Sequence, residues 1–182
     1  VTVSPQMRFR LETTSLSGEA LSEVTVGETF LLYVYVQDLR DHDPAGVYAA
    51  YLDVPFDGQH VESVGEIVYG LGFPNGRAGT FDTDGLDEVG AFGPNSPLGS
   101  GELELFHVEL EAVLGGDILF AGDPADTSPQ SDTLFFDPPG SVDPLLIDYS
   151  TAALTVVSSV TAIDDTFNVD EDVVDVQLDV LE

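Results

Sequence analysis

The stretch Phe30-Leu31-Leu32-Tyr33-Val34-Tyr35-Val36 is apolar at every position, and a second apolar stretch, Tyr48-Ala49-Ala50-Tyr51-Leu52, follows it. In the first stretch both alternating faces of a strand are apolar. This indicates a central strand that is covered by a second sheet on one side and by a loop on the other. One open sheet could not bury so many apolar positions, so we expect two sheets packed face to face.

The rest of the chain also reads as short strands bounded by Gly, Pro, Asp or Asn, and no stretch keeps the apolar period of a helix. We therefore predict an all-β fold, a two-sheet antiparallel β-sandwich of jelly-roll type with about nine strands. The clearest strands are 7–12, 29–37, 47–56, 61–69, 86–92, 102–112, 117–121, 133–136 and 152–157. Loop-rich segments are expected at 70–83, 93–101, 123–131 and 137–144.

The predicted strand 102–112 changes its apolar phase in the middle. Leu103 and Leu105 share one parity, whereas Phe106, Val108 and Leu110 share the other. A slip of one residue turns a strand over, so a β-bulge is predicted near Leu105-Phe106. Such a bulge could let one long strand serve both sheets at a corner of the sandwich.

Charge is the strongest signal in the composition. The chain has 34 Asp and Glu against four Lys and Arg, which gives a formal net charge of −30. Without a basic patch to neutralise phosphates, we exclude nucleic acid and anionic membranes as partners. So many carboxylates repel one another, and divalent cations or high salt would lessen that repulsion, so we expect a marine or calcium-rich setting. No apolar run is long enough to cross a bilayer, so no membrane insertion is expected.

A calcium site is one interpretation of the segment Phe81 to Glu88. Its carboxylates stand at alternate positions around Gly85, a spacing that lets a turning backbone aim several hard oxygens at one Ca²⁺. The glycine and the distal Glu do not have the spacing of an EF-hand loop. A solvated turn is the alternative, because acidic clusters arise by chance in so acidic a chain. The predicted ligands are Asp82, Asp84, Asp87 and Glu88, and Ca²⁺ is the one cofactor that we expect.

Catalysis is not indicated by the remaining polar residues. Zinc binding or nucleophilic catalysis would need the histidines to be gathered, but His42, His60 and His107 fall in separate segments and read as surface residues. No nucleophile elbow, phosphate-binding loop or dinucleotide fingerprint is present. A pair of acids from two loops could still hydrolyse a glycoside. We predict that the chain is not an enzyme, and the absence of Cys removes disulfides and thiolate zinc sites.

Tyrosines provide the candidate binding face. Tyr33, Tyr35, Tyr48 and Tyr51 could form a flat surface for a protein partner or for stacking of sugar rings. Core packing explains the same residues equally well. Because the chain has no Trp, carbohydrate binding is the weaker of the two interpretations.

The order of signals between residues 7 and 157 resembles a cohesin-like domain. The resemblance rests on the segments Val26-Gly27-Glu28-Thr29-Phe30, Val36-Gln37-Asp38-Leu39, Gly46-Val47, Tyr51-Leu52-Asp53-Val54-Pro55-Phe56-Asp57, Val61-Glu62-Ser63-Val64, Gly101-Glu102-Leu103 and Gly115-Gly116-Asp117-Ile118. It implies a cohesin-like sandwich over residues 1–157 and a dockerin-like module or another surface module as partner. The chain departs from cellulosomal cohesins in its long 70–101 region and its acidity, and its style is similar to surface-protein modules of marine planctomycete-like bacteria.

The end of the sequence resembles the start of a bacterial cadherin-like tandem repeat. The matching segments are Ala162-Ile163-Asp164-Asp165, Val169-Asp170-Glu171-Asp172 and Leu178-Asp179-Val180-Leu181. We expect a linker at 158–163 and a truncated repeat at 164–182. The resemblance implies an extracellular or cell-surface parent, in which Asp164, Asp165, Asp170, Glu171 and Asp172 contribute to calcium sites at a module junction.

The hypothesis from sequence is a non-catalytic protein–protein interaction module, stabilised by calcium, of a large secreted or cell-surface protein. The alternatives are a carbohydrate-binding module on the same fold and a hydrolase. A sheet face without aligned aromatics would favour the first, an exposed row of Tyr across a groove the second, and converging acids open to water the third.

Overall fold

The computed structural model describes residues 4–128 and 130–158. Except for Ser158, the predicted linker and the predicted cadherin-like repeat therefore lie outside the described residues. Fifteen strands and one 3-10 turn follow one another along this part of the chain. They are β1 (Met7–Thr14), β2 (Glu23–Thr25), β3 (Thr29–Asp38), β4 (Val47–Pro55), β5 (Val61–Ser63), β6 (Val68–Tyr69), β7 (Asn75–Asp82), β8 (Gly85–Phe92), β9 (Leu103–Ala112), β10 (Gly116–Ala121), β11 (Asp123–Pro124), β12 (Leu134–Phe135), β13 (Gly140–Ser141), the 3-10 turn (Pro144–Leu146), β14 (Ile147–Tyr149) and β15 (Thr151–Val157).

The strands form two large sheets and one small sheet. Sheet I has the order β14-β1-β3-β9-β5, with β6 also paired to β9, and sheet II has the order β13-β12-β4-β8-β7, with β11 also paired to β4. Sheet III has the order β10-β15-β2. The predicted β-sandwich is confirmed, since β3 and β4 lie in different sheets. It has more strands than predicted, and two of its strand pairs, β1 with β14 and β15 with β2, are parallel.

The core lies between the sheets, and alternation along β3 supplies part of it, whereas β4 buries Ala49 to Leu52 in an unbroken row. In β3 every second side chain from Phe30 to Val36 is buried, and the side chains between them are half-buried. The second face of β3 is therefore only partly covered, contrary to the expectation of a loop over it. Within the described ranges, no helix is long and apolar enough to cross a membrane.

The predicted bulge in β9 is confirmed. Val34 pairs with Phe106 and Tyr35 pairs with Glu104, so Leu105 has no partner across the ladder. Leu105 and Phe106 are both fully buried, as expected where a strand changes its inward parity. The expected corner role is wrong, however, because β9 pairs only within sheet I, with β3, β5 and β6.

The corners of the sandwich lie instead at two places where consecutive strands belong to different sheets. The chain leaves sheet III after β10, passes Gly122 and joins sheet II through β11, while β14 in sheet I continues through Ser150 into β15 of sheet III. At their crossing the Gly122 N–H donates to the Ser150 carbonyl at 3.0 Å. The Ser150 hydroxyl oxygen accepts a hydrogen bond of 2.8 Å from the Leu11 N–H of β1. Ser150 therefore ties β1 to the crossing.

Strand β7 was predicted to be a loop, and its sequence explains why. Asn75 to Asp82 has no apolar alternation, and all of it except half-buried Phe81 is exposed. β7 is an edge strand that is fixed by pairing to β8 and by two tyrosine hydroxyls. Tyr51 donates to the Gly76 carbonyl at 2.5 Å and Tyr69 donates to the Ala78 carbonyl at 2.7 Å. The predicted strand 61–69 is in fact two short strands, β5 and β6.

A buried ion pair fixes the connection between β3 and β4. Both Asp38 oxygens accept hydrogen bonds from the Arg40 guanidinium, at 3.0 and 2.8 Å, and Asp38 also accepts from the Gly46 N–H at 2.9 Å. Arg40 lies 3.4 Å above the Phe135 ring of sheet II. Burial alone would raise the pKa of Asp38, but these hydrogen bonds hold it below its ordinary value. The stabilisation is therefore present at neutral pH and lost as the pH falls through the pKa of the folded state.

Replacing Arg40 with Met should lower the free energy of unfolding by about 3–5 kcal/mol, because it leaves Asp38 charged and buried without a cation. The side chain of Asp38 is 0% exposed and that of Arg40 is 14% exposed. The control is Arg8→Met, since Arg8 and Asp148 are 43% and 44% exposed and such pairs contribute less than about 1 kcal/mol. Urea unfolding of both variants at pH 7 is the measurement, and equal costs would contradict the role given to Asp38.

Candidate functional site

The structure divides the predicted site residues between two opposite faces. The four predicted calcium ligands, Tyr48 and Tyr51 belong to sheet II or to the turn between β7 and β8, whereas Tyr33 and Tyr35 lie on β3 of sheet I. The four tyrosines therefore do not form one face. Most of the predicted residues lie on the outer side of sheet II.

An acidic depression occupies one end of the outer side of sheet II. Asp53 faces outward there, because its neighbours Leu52 and Val54 point into the core. The depression has a volume of about 380 Å³, and Pro55, Gly85 and Leu86 form part of its wall. The rest of its lining consists of five aspartates: Asp53, Asp82, Asp84, Asp87 and Asp123. Three of the four predicted calcium ligands are among them. The sequence did not indicate Asp53 and placed Asp123 in a loop-rich segment, because both residues are far from 82–88 in the chain.

Glu88, the fourth predicted ligand, has a different role. Its backbone φ is +55°, which is uncommon for a residue with a side chain. Its Oε1 accepts hydrogen bonds from the N–H groups of Asp126 and Thr127, at 2.7 and 2.8 Å. Glu88 thus anchors the loop after β11 to β8, and it is not among the residues that line the depression.

Asp53 is the most perturbed carboxyl of the depression. It accepts a hydrogen bond of 2.7 Å from the Glu88 N–H, which lowers its pKa. Burial and the nearby carboxylates of Glu88, Asp87 and Asp126 act in the opposite direction and outweigh that bond, raising the pKa of Asp53 to about 6. At neutral pH the depression is therefore a place where negative charges are held close together against their mutual repulsion.

The carboxylates of the depression do not form a ready-made metal cage. In the part of the chain that the structure describes, no group of three or more His, Cys, Asp or Glu side chains is arranged to hold a metal ion. Glu88 is engaged by backbone N–H groups instead. Calcium binding by Asp82, Asp84 and Asp87 stays a prediction.

Aromatic side chains cover the other end of the outer side of sheet II. The rings of Tyr48 and Phe92 stack with centroids 6.0 Å apart, and Tyr51 meets Phe92 edge-on at 5.7 Å. Tyr51 is only 2% exposed, and a Cβ atom at Gly90 would lie 2.5 Å from its ring. Tyr51 is thus a packing residue, whereas Tyr48 and Phe92 remain half exposed.

On the opposite side of the molecule, Tyr33 and Tyr35 stack on each other, with centroids 5.7 Å apart and planes 14° apart. Tyr33 also contacts the His107 ring at 4.8 Å, and the Arg10 guanidinium lies 4.2 Å from the Tyr35 ring centre. Both rings are therefore engaged with protein neighbours. This is not the row of open ring faces that sugar stacking requires.

The three histidines lie apart, each with a partner of its own. His42 contacts Asp137 at 3.1 Å, His60 contacts the Leu114 carbonyl at 3.0 Å, and His107 contacts Glu104 at 2.7 Å. This agrees with the expectation that they are ordinary surface or rim residues.

Comparison with solved structures places this architecture among known folds. A cohesin module from a Clostridium perfringens family 33 glycoside hydrolase superposes with a TM-score of 0.59 at 10% sequence identity, over 86% of this chain and 100% of that one. The sixth cohesin of scaffoldin B from Acetivibrio cellulolyticus, solved in complex with a dockerin, gives 0.53 at 13% identity, over 82% and 99%.

The fold is cohesin-like. A type III cohesin module from a cell-surface anchoring scaffoldin of Ruminococcus flavefaciens also matches, with a TM-score of 0.52 at 13% identity over 81% of this chain and 87% of that one. No protein-family model and no curated protein matches the sequence. At these identities the likeness is one of fold, and the cohesin-like expectation from sequence is confirmed at that level.

Replacing Asp53 with Asn should stabilise the protein at pH 7.5 by about 1–3 kcal/mol, because it removes a carboxylate whose pKa in the folded state is raised. The amide oxygen can still accept the hydrogen bond from the Glu88 N–H. Asp53 is protonated in the folded state below its pKa of about 6, so the gain should fade as the pH drops to 4.5.

Denaturant unfolding of the wild type and Asp53→Asn at several pH values measures this difference. The control is Asp41→Asn, which removes one exposed carboxylate from the β3–β4 loop. A gain that does not change with pH would contradict the raised pKa of Asp53.

Proposed function

We propose that this chain is a non-catalytic protein–protein interaction module whose partner is a dockerin-like module or another surface module. The support is the cohesin-like fold, together with the dockerin complex of the Acetivibrio cellulolyticus cohesin that shares it. The proposal assigns no catalytic step to the chain.

The outer side of sheet II is the proposed docking face. It combines the acidic depression at one end with the half-exposed rings of Tyr48 and Phe92 at the other. Aromatic side chains are enriched at protein interfaces, and the carboxylates would select a basic partner. Within the described ranges, no ion pair involves the five aspartates of the depression. Burial and, after it, the nearby carboxylates raise the pKa of Asp53. A partner that brings Lys or Arg to this end would offset the repulsion between these carboxylates.

We also propose an extracellular or cell-surface setting within a longer modular protein. The resemblance of residues 164–182 to a cadherin-like repeat supports this, as does the fold shared with a cohesin from a cell-surface anchoring scaffoldin. The similarity to planctomycete-like surface modules is consistent with the same setting.

The carbohydrate-binding alternative has less support. Its predicted residues divide between two faces, Tyr51 is buried, and the rings of Tyr33 and Tyr35 contact each other, Arg10 and His107. A sugar would have to displace these contacts before it could stack.

Calcium stabilisation is a separate proposal, supported by the five carboxylates that face one depression. We expect millimolar CaCl₂ to raise the melting temperature more than NaCl at the same ionic strength, since a bound divalent ion stabilises the folded state by mass action. The rise should shrink in Asp84→Asn/Asp87→Asn. Thermal unfolding with EDTA, CaCl₂ and NaCl is the measurement. If NaCl raised the melting temperature as much as CaCl₂, the effect would be charge screening and the calcium proposal would be contradicted.

Binding to a panel of purified dockerin modules tests the docking face. We expect at least one of them to bind with a micromolar or tighter Kd, and Asp87→Arg/Asp123→Arg to weaken it about tenfold or more, because the reversed charges repel the basic groups of the partner. Isothermal titration calorimetry gives both values.

The matched control is Glu19→Arg/Glu23→Arg, which changes the net charge equally at two exposed acids before and in β2 of sheet III, away from sheet II. Equal weakening by both variants would argue against a specific face on sheet II. A panel without any binder would argue against a dockerin-like partner.

A further inference from the structure

We propose that the outer side of sheet I is a second binding surface, which takes an extended peptide segment carrying Arg or Lys at alternate positions. It lies on the opposite side of the sandwich from the docking face on sheet II. This inference therefore goes beyond the proposed function and does not depend on it.

Pairing between strands arranges the outer side of sheet I as a grid. In β3 the outward residues are Leu31, Tyr33 and Tyr35, and in β9 they are their partners Glu109, His107 and Glu104. The next outward residue of β9 is Glu111, which lies directly opposite Glu62 of β5. On the β1 side, Arg8, Arg10 and Glu12 lie opposite Gln37, Tyr35 and Tyr33 of β3, so this half of the face is aromatic and includes two arginines. The half formed by β9 and β5 carries a row of carboxylates.

The aromatic half already holds a cation. The Arg10 guanidinium lies 4.2 Å from the centre of the Tyr35 ring. It donates two hydrogen bonds to Glu102, at 2.8 and 2.9 Å, and one to Glu12, at 2.8 Å. An aromatic ring flanked by carboxylates is a good environment for a guanidinium. Arg10 therefore shows within this chain the kind of contact that a partner's basic side chain would make with the face.

The acidic half has carboxylates but no cation. In the described part of the chain, none of the ion pairs includes Glu62, Glu109 or Glu111. Glu62 and Glu111 face each other across two antiparallel strands, where like charges are destabilising. A cation from outside would convert this repulsion into attraction, so the arrangement is complementary to a basic partner.

Apolar surface beside these carboxylates suits the long stems of Arg and Lys. Leu31 and Tyr33 are half-buried, and Val68, which pairs with His107, is 49% exposed. Basic side chains lay their methylene stems on such surface while their charged ends reach carboxylates.

Strand geometry specifies the spacing of the basic residues. Glu109 and Glu111 are two residues apart on β9, which is about 6.7 Å along a strand. Alternate residues of an extended peptide project to one side with the same spacing. A segment that runs along β9 with basic residues at every second position therefore meets Glu109 and Glu111 in register.

Two synthetic octapeptides of equal composition test this surface. One alternates Arg and Ser, and the other places its four Arg in one block. We expect the alternating peptide to bind more tightly at physiological salt, and Glu62→Gln/Glu109→Gln/Glu111→Gln to weaken its binding about tenfold. Titration calorimetry or NMR titration measures the Kd. These replacements remove repulsion between like charges, so the melting temperature should not fall and lost binding would not reflect unfolding.

The control Asp82→Asn/Asp84→Asn/Asp87→Asn removes the same charge from sheet II and should leave peptide binding unchanged. Equal losses in the two triple variants, or equal affinity for the two peptides, would overturn the proposal, because either result means attraction to diffuse negative charge. Full binding by the glutamate variant would overturn it as well. The glutamate variant should bind a dockerin module as the wild type does, whether or not the peptide binds. A dockerin titration therefore distinguishes failure of the peptide surface on sheet I from failure of the docking face on sheet II.

Discussion

The three sheets meet at the ring of Phe120. This side chain of sheet III is fully buried and contacts Phe30 of sheet I edge-on at 6.3 Å and Phe56, at the end of β4, at 5.1 Å. Phe56 in turn contacts Phe81 of β7 at 5.8 Å. Since the chain has no Cys, no disulfide assists this core. Apolar burial must therefore outweigh the repulsion within a chain whose formal net charge is −30.

Those parts of the fold in which burial leaves a pattern could be predicted from the sequence. The double apolar face of residues 30–36 predicted two packed sheets, and the parity change at Leu105 predicted the bulge in β9. Strand β7 left no such pattern, because its positions depend on pairing with β8 and on the hydroxyls of Tyr51 and Tyr69. The corners at Gly122 and Ser150 were missed for a similar reason, since they depend on contacts between segments that are distant in the chain.

The functional surfaces, too, could be predicted from the sequence only in part. Alternating acids at residues 82–87 pointed to part of the depression, but Asp53 joins it only because β4 and β8 are neighbours. The four predicted tyrosines do not lie on one face, because β3 and β4 belong to opposite sheets. Glu88, although adjacent to Asp87, is turned by its positive φ toward the backbone of the loop at Asp126. The sequence indicated which kinds of side chain, carboxylates and tyrosines, belong to the candidate surfaces. The order of the strands determines which of these side chains lie next to one another.

The parallel pairing of β1 with β14 has a mechanical consequence. Met7 pairs with Ile147 and Phe9 pairs with Tyr149, so the first strand of sheet I and the chain that leads into β15 run side by side in the same direction. Tension applied through residues before β1 and after β15 would pull these neighbours in opposite senses along their length. Their hydrogen bonds would then bear the load together in shear, and would not open one at a time. A module connected in this way can transmit force between its neighbours while keeping both sheet faces intact.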